Sequence, residues 1–257
     1  MHQAIRRAGR NPDVSGFALH GEEPATPVLG RLVERGLHDE LKGMAYAIVE
    51  GVDGRTHHLR FNDLELTDDG APGAIVEVRS YDDPNGRKRL SLATRSDLAL
   101  GEQVGASGAT WLDRQLVARE PIATGGGFGA EVRSAMDRRA DHLVELGLAA
   151  RESQGITFAR DLLNTLRRRD LNGAIATLSA ETRLAHEPAV EGERVAGVYR
   201  RRVTLASGRF AIIDDSLGFQ LVPWRPALEE RLGQRVSGVK TRKGVDWDFA
   251  RKRGLSL

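Results

Sequence analysis

The most regular alternation of apolar and polar positions lies in residues 208–224, GRFAIIDDSLGFQLVPW. Two β-rich runs, centred on Ile212 and Leu221, flank the stretch DDSLG. Its aspartates can bond their own backbone, and its glycine can take a positive φ. Pro223 and Pro226 end the pairing because proline brings no N–H to a ladder, and Pro226 suits the first turn of a short helix. The pattern predicts a β-hairpin that leads into a helix.

A similar pattern fills residues 42–100. MAYAIVEGVDGRTHHLRF gives two β-rich runs around one turn, and GAIVEVRSYDDPNGRKRLSLATR gives two more around another. Two hairpins joined by a single loop predict a small barrel of about four to five strands, OB-like or SH3-like. Such barrels often bind nucleic acid or peptides, although a fold alone does not decide function.

In the remaining segments, the spacing of the apolar residues differs from that of a strand in some parts and returns to it in others. Val28, Leu29, Leu32, Val33 and Leu37 are close to helical spacing, which predicts a helix near the N-terminus. Residues 107–189 predict helix, short β-wing and helix, which fits a winged-helix-like module or a plain helical linker with one hairpin. From position 190 the period returns to two, which predicts a second small barrel.

The predicted fold is therefore α+β, with two small OB-like or SH3-like β-barrels flanking a helical, winged-helix-like module. The predicted parts are an N-terminal helical segment (1–41), a barrel (42–106), the helical module (107–189) and a second barrel with a basic tail (190–257).

The amino-acid composition limits the chemistry and the cellular location that we expect for this protein. Of the 257 residues, 40% are hydrophobic and 29% charged, and none is cysteine, which excludes disulfides and thiolate metal sites. No window is apolar enough for a membrane span, and the start, MHQAIRRAGRNPD, lacks the apolar core of a signal peptide. We expect a cytoplasmic protein without membrane insertion, cut from something longer.

The charge is unevenly distributed along the chain. Residues 151–257 hold 20 Lys and Arg against 13 Asp and Glu, whereas residues 1–150 hold 18 against 23. A basic half indicates a polyanionic partner. Ordinary solvated arginines explain the same numbers equally well.

Three features were considered for chemistry. His57 and His58 are adjacent, so in a strand they point to opposite faces and do not form a metal pair. Asp214 and Asp215 are explained as turn residues. The run TGGGFG at 124–129 lacks the Lys-Ser/Thr of a phosphate loop, and we expect a flexible joint that caps a helix at Glu131. The sequence predicts no catalytic residue, metal or cofactor.

Basic clusters remain as candidate nucleic-acid contacts, since phosphate binding needs several cations on one face. In a strand, Arg200 and Arg202 share a face, whereas Arg201 does not. The candidate residues are Arg167, Arg168, Arg200, Arg202, Lys240, Arg242, Lys243, Arg251, Lys252 and Arg253.

Four stretches carry a family resemblance: SGATWLDRQLVARE (107–120), GFGAEVRSAMDRRADHLVELGLA (127–149), GRFAIIDDSLGFQLVPWRPALE (208–229) and the ending VSGV…VDW…RKRGL. They resemble the C-terminal region of Ti-type conjugative relaxase/mobilization nuclease proteins, a domain of unknown function. The resemblance runs from about residue 24 to the end, with small departures such as Ser216 in place of glycine.

In that family the nicking chemistry belongs to an N-terminal domain with a catalytic tyrosine and a metal-holding histidine cluster, which has no counterpart here. The resemblance implies a role in the relaxosome, either in binding transferred DNA or in docking to the coupling protein and secretion channel. Together with the basic C-terminal half, it favours a non-catalytic accessory region that binds DNA in the relaxosome during plasmid or integrative-element transfer. The alternative is a protein-interaction module that docks the relaxase to the coupling protein and the type IV secretion machinery. There the hairpin GFQLVPW and Trp247 would matter more than the arginines.

Overall fold

The computed structural model describes residues 16–19, 24, 26–39 and 43–249. The chain divides into two compact units, residues 1–164 and 165–257. The fold is α+β, with largely antiparallel sheets, as the sequence predicts. Among the described helices, none combines the length and the apolar character needed to cross a membrane.

The first unit contains a six-stranded sheet and a 3-10 helix. The strands follow the order β1-β4-β3-β2-β5-β6 across the sheet. The elements are β1 (Gly16–Leu19), β2 (Val28–Asp39), β3 (Met44–Gly51), β4 (Arg55–Phe61), η1 (Leu64–Thr67), β5 (Ile75–Asp82) and β6 (Lys88–Ser96). The long strand β2 pairs antiparallel with both β3 and β5, so it joins the two predicted hairpins into one sheet.

The prediction of a helical segment at 1–41 is wrong for its described part, because residues 28–39 form strand β2. A register shift between Leu32 and Glu34 breaks the alternation and makes the apolar spacing look helical. Gly30 explains why this strand pairs so closely: an added Cβ would lie 2.1 Å from the carbonyl oxygen of Glu50 on β3.

Helices follow the first sheet. They are α1 (Leu100–Val104), α2 (Trp111–Leu116), α3 (Phe128–Glu145) and α4 (Leu162–Thr182), with the hairpin β7 (Ala149–Glu152) and β8 (Gly155–Phe158) between the last two. The helix, hairpin and helix order of the predicted central module is therefore present. Trp111, Leu112, Phe128 and Val132 belong to an apolar core that joins α1, α2 and α3 to the sheet of the first unit.

The second unit contains another six-stranded sheet, in the order β14-β13-β10-β11-β12-β9. Its elements are β9 (Ala185–His186), β10 (Arg194–Leu205), β11 (Gly208–Asp214), β12 (Gly218–Pro223), η2 (Pro226–Arg231), β13 (Arg235–Thr241) and β14 (Gly244–Trp247). The predicted hairpin is confirmed as β11 and β12, and the short helix after it is η2.

The turn of this hairpin uses the two aspartates as the sequence predicts. Asp214 accepts a hydrogen bond from the amide of Ser216 at 2.7 Å, and Asp215 accepts from the amides of Leu217 and Gly218 at 2.9 Å. The positive φ, however, belongs to Ser216 (81°) and not to Gly218. The glycine is needed for another reason: a Cβ there would lie 2.8 Å from the carbonyl oxygen of Ala185 on β9.

The two sheets share one topology. Each sheet contains a set of five consecutive strands, β2 to β6 in the first unit and β10 to β14 in the second. In each set, the first strand has 12 residues, carries a register shift and pairs antiparallel with the second and the fourth strand. A 3-10 helix follows the third strand of the set, and a short preceding strand pairs parallel with that third strand. The chain therefore contains a structural duplication that its residues alone did not indicate. Among the described residues, no ladder closes either sheet into a barrel.

Candidate nucleic-acid interface

Trp224, directly after β12, lies at the centre of an aromatic and basic cluster in the second unit. Its amide donates to the carbonyl of Arg209 at 3.0 Å, and its Nε1 donates to the hydroxyl of Tyr199 at 3.1 Å. The guanidinium groups of Arg202 and Arg209 lie 4.7 and 5.5 Å from the centre of its ring. These distances are typical of cation–π contacts. We refer to Tyr199, Arg202, Arg209 and Trp224 as the Trp224 cluster.

The register shift in β10 explains how the cluster forms. It falls between Tyr199 and Arg201, so Arg200 has no partner in the ladder and the alternation of faces restarts after it. Tyr199 is fully buried in the core of the sheet, and burial raises the pKa of its hydroxyl. The hydroxyl therefore stays neutral and accepts the indole hydrogen bond at any physiological pH.

Further cations adjoin the residue that follows Trp224. A guanidinium nitrogen of Arg225 lies 3.5 Å from where a Cβ on Gly244 would stand. Lys240 donates through Nζ to the carbonyls of Thr241 and Gly244, at 2.7 and 3.4 Å. Arg225 and Lys240 therefore both lie near Gly244, which follows the turn that carries the exposed Arg242 and Lys243. The structure thus brings the predicted 240–243 cluster close to Arg225.

Of the other predicted contacts, Arg202 belongs to the Trp224 cluster, whereas Arg200 and Arg167 have partners elsewhere. Arg200 forms an ion pair with Asp214 at 2.8 Å, and Arg202 contacts Trp224, so the prediction that both share one strand face is wrong because of the register shift. Arg242 forms an ion pair with Glu191 at 3.1 Å. On α4, Arg167 lies over the ring of Phe210 at 5.9 Å.

Arg168 is exposed on the same helix. Arg251, Lys252 and Arg253 lie outside the described residues.

The adjacent histidines point to opposite faces of β4. His57 is buried, with Nε2 3.1 Å from a carboxylate oxygen of Asp53, whereas the ring of His58 stacks on Tyr46 at 5.7 Å. The sequence expectation of two strand histidines on different faces is therefore confirmed. In the described ranges, no three His, Asp or Glu side chains come together as a metal site would require.

The glycine run is packed against the turn between β3 and β4. The amide of Gly125 donates to the carbonyl of Val52 at 2.7 Å, and an added Cβ on Gly125 would lie 2.1 Å from the carbonyl oxygen of Asp53. The helix begins at Phe128, with Gly127 as its N-cap at φ 51°, and not at Glu131 as predicted. The glycines therefore allow two backbones to approach closely.

This packing predicts different effects for two neighbouring glycines. Gly125→Ala is expected to lower the free energy of unfolding by about 1–3 kcal/mol, because its methyl group meets backbone that cannot move aside. Gly126→Ala is the matched control: no atom lies within 4 Å of its added Cβ, so the change is expected to stay within about 0.5 kcal/mol. Chemical denaturation of both variants checks this, and equal stabilities would contradict it.

A surface cavity of about 510 Å³ lies in the first unit. Its lining includes Arg31, Glu131, Ser134 and Arg138. Arg31 is held between Glu50 at 2.5 Å and Glu131 at 2.9 Å, and it lies over the ring of Phe128. Two carboxylates thus compensate its charge, and the cavity offers an anion little net attraction.

The resemblance-bearing stretches 107–120 and 127–149 meet in a buried ion pair. Asp113 and Arg139 are both fully buried, and their side chains form two hydrogen bonds at 2.8 and 3.0 Å. Arg139 also donates to the carbonyls of Val104, Ala106 and Gly108. These side chains have every polar atom occupied inside the protein, so their part is structural.

A family profile matches nearly all of the chain, in two overlapping segments at residues 1–89 and 79–256. The family is described as a protein of unknown function, DUF3363. The chain belongs to this family. The description of this family names no activity. No curated protein and no solved structure matches the chain.

Proposed function

We propose that this DUF3363 chain is a non-catalytic, cytoplasmic accessory region of a conjugative relaxase, and that its second unit binds DNA. The single observation that carries the DNA-binding proposal is the Trp224 cluster with Arg225 and Lys240 beside it. A group of cations on one surface is a feature with which proteins hold nucleic acid, because the cations attract its phosphates. The relaxase context rests on the four stretches that resemble that family.

The sheet topology adds support from the fold. Strand order 3-2-1-4-5, with a helix between the third and fourth strands, is the arrangement of the OB-fold, a partly open barrel that binds oligonucleotides. We propose that both sheets are OB-like barrels. In the second unit, Leu178 of α4 packs against Ile212 and Phe219, so this helix covers the face of the second and third strands that OB-folds commonly use. In the Trp224 cluster, Arg202, Arg209 and Trp224 are partly exposed, and the adjacent Arg225 is exposed.

The alternative proposal, docking to the coupling protein of the secretion machinery, is favoured by one residue. Leu217, at the tip of the hairpin, is 83% exposed, which is unusual for a large apolar side chain. However, Phe219 and Val222 of the same hairpin are buried, so most of the stretch GFQLVPW builds the core instead of a docking surface. One exposed leucine supports this alternative less than a cluster of cations supports DNA binding.

A salt titration tests the proposed DNA binding. The full chain is expected to bind single-stranded or duplex DNA at low salt, with an affinity that falls linearly on a double-logarithmic plot against salt, because bound cations release counterions. Fluorescence anisotropy of a labelled oligonucleotide measures both quantities. Absence of binding at low salt, or binding without a salt slope, would exclude this function.

The relaxase context has its own test. The DNA upstream of this coding sequence is expected to encode a nuclease domain with a catalytic tyrosine and a histidine cluster. An upstream region with no such domain, in any frame, would leave the DNA-binding proposal intact and remove the relaxase context.

A further inference from the structure

Arg225 is an unusual residue for its place in the chain. It is the N-cap of the 3-10 helix η2, and its side chain makes no capping hydrogen bond. An N-cap usually carries a side-chain oxygen, because the first amides of a helix need acceptors, whereas a guanidinium group offers only donors. Capping therefore does not explain why an arginine occupies this position.

The first unit provides the comparison, because its set of five strands has the same topology. The N-cap of its 3-10 helix η1 is Asp63, whose carboxylate accepts a hydrogen bond from the amide of Glu65 at 3.0 Å. The same position of the duplicated fold thus holds a capping carboxylate in the first unit and the exposed Arg225 in the second. A residue that breaks a local rule without a local gain is a candidate for a functional role.

The side chain of Arg225 lies against the start of β14. One of its guanidinium nitrogens is 3.5 Å from where a Cβ on Gly244 would be, and Gly244 has a φ of 152°. Lys240 contacts the same glycine from β13: its Nζ donates to the carbonyl oxygen of Gly244 at 3.4 Å and to that of Thr241 at 2.7 Å. Lys243 is exposed and directly precedes Gly244. Three cationic residues therefore adjoin one glycine.

No carboxylate of the described residues forms an ion pair with any of these three cations. Arg225 and Lys243 have no ion pair there, and Lys240 is bonded to carbonyl oxygens. Asp246 on β14 points to the sheet face opposite to that of Lys240, because the residue paired with Lys240 is Val245. Positive charges that converge without a carboxylate repel one another, and a bound anion relieves this repulsion.

The equivalent turn of the first unit, between β5 and β6, differs in this respect. It also carries three consecutive cations, Arg87, Lys88 and Arg89. Two of them are compensated: Lys88 forms an ion pair with Asp82 at 3.3 Å, and Arg89 forms one with Asp83 at 3.2 Å. The two turns therefore differ in charge although the same topology carries them.

We propose that Arg225, Lys240 and Lys243 form a subsite for phosphate groups, which in the proposed function belong to the DNA backbone. The inference rests on that function and names the group that is bound and the residues that bind it. A guanidinium group binds phosphate through two parallel N–H groups, and an ammonium group binds it as a point charge. Lys240 uses two of its three donors on carbonyl oxygens, so one donor remains for the phosphate.

A triple variant of the full chain tests the subsite. Changing Arg225, Lys240 and Lys243 together to glutamine is expected to weaken DNA binding on the order of 100-fold at low salt. The salt slope is expected to fall by about 0.7 to 0.9 for each phosphate contact that is lost. Fluorescence anisotropy measures both quantities, and single-stranded and duplex DNA should respond alike because both present phosphates.

The duplicated fold supplies the matched control. Changing Arg87, Lys88 and Arg89 to glutamine removes the same charge from the equivalent turn of the first unit, and we expect it to weaken binding less than about 10-fold. Equal losses in the two triple variants, or an unchanged affinity in the variant of the second unit, would overturn the subsite while DNA binding stands.

A single change separates binding from folding. Arg225→Asp gives η2 the type of N-cap that η1 has, so its melting temperature is expected to stay the same or rise. Its affinity for DNA is nevertheless expected to fall at least about 10-fold, because a phosphate contact is lost and a negative charge is added. A folded Arg225→Asp variant that binds DNA as tightly as the unchanged chain would contradict the role of Arg225 in the subsite.

Calorimetric titration with sodium tripolyphosphate tests the subsite without DNA. We expect the unchanged chain to bind tripolyphosphate at low salt, and the variant of residues 225, 240 and 243 to bind it at least about 10-fold more weakly. Equal binding by the two chains would rule the subsite out. If the unchanged chain binds tripolyphosphate through these residues but binds neither form of DNA, the phosphate subsite is supported and the proposed DNA binding is excluded.

Discussion

Replacing Arg139 with methionine is expected to lower the free energy of unfolding of the first unit by about 3–5 kcal/mol. The side chain of Arg139 is fully buried in α3, where it bonds both carboxylate oxygens of Asp113. Removing the guanidinium leaves a buried carboxylate without its counter-charge. The loss is large because the carboxylate of Asp113 then stays buried without water or a counter-charge, and such an uncompensated buried charge is strongly destabilising.

The same change removes the partner of several backbone carbonyls. Arg139 bonds the carbonyl oxygens of Val104, the last residue of α1, and of Ala106 and Gly108 in the loop between α1 and α2. A buried carbonyl without a donor costs about 1–3 kcal/mol. We therefore expect this loop to loosen together with the loss of the ion pair.

Arg138→Met provides the matched control for this prediction. Arg138 is the preceding residue of the same helix, is exposed, and has one long hydrogen bond of 3.4 Å to the carbonyl of Ser134, so its loss is expected to cost less than about 0.5 kcal/mol. Denaturation is followed by the emission of Trp111, in a background where Trp224 and Trp247 are phenylalanine. Similar stabilities for the two variants would contradict the structural part assigned to Arg139.

The sequence contains a pattern that indicates a buried position for Arg139, although the sequence analysis did not predict it. Val132, Ala135, Arg139 and Leu143 recur at helical spacing and are all buried, so the arginine interrupts an otherwise apolar stripe of α3. A charged residue at such a position predicts a buried partner. What the sequence could not supply was the identity of that partner, since Asp113 lies on another helix and only tertiary packing brings the two together.

Other features divide in the same way between local and tertiary causes. The hairpin of β11 and β12 was predictable because its turn chemistry is contained in five adjacent residues. Residues 28–39 were wrongly predicted as helical. Their strand conformation depends on pairing with β3 and β5, and no local stretch of sequence contains that information. The basic residues of the second unit were correctly counted, but a single register shift in β10 decides which of them face Trp224. Arg209, Arg225 and Trp224 itself were therefore missed as candidate contacts.

Neutralising Arg202, Arg209 and Arg225 together, each as glutamine, is expected to weaken DNA binding on the order of 100-fold at low salt, since a typical hydrogen bond contributes about 1 kcal/mol net and one is expected to be lost for each arginine. The salt slope is expected to decrease by about 0.7 to 0.9 for each phosphate contact that is lost. Anisotropy titrations of single-stranded and duplex DNA at several salt concentrations measure both effects. The effect should not depend on DNA sequence, because phosphate contacts carry no sequence information.

The control for this variant removes the same charge from the same unit. Arg200 and Arg201 form ion pairs with Asp214 and Glu181, and Arg235 is exposed and lies near Asp215. Changing these three to glutamine alters the net charge equally but leaves the Trp224 cluster and the turn between β13 and β14 unchanged. We expect this control to lose less than about 10-fold, as general long-range attraction weakens. If both triple variants lose affinity equally, net charge and not the Trp224 cluster attracts the DNA, and the interface has to be sought elsewhere on the second unit.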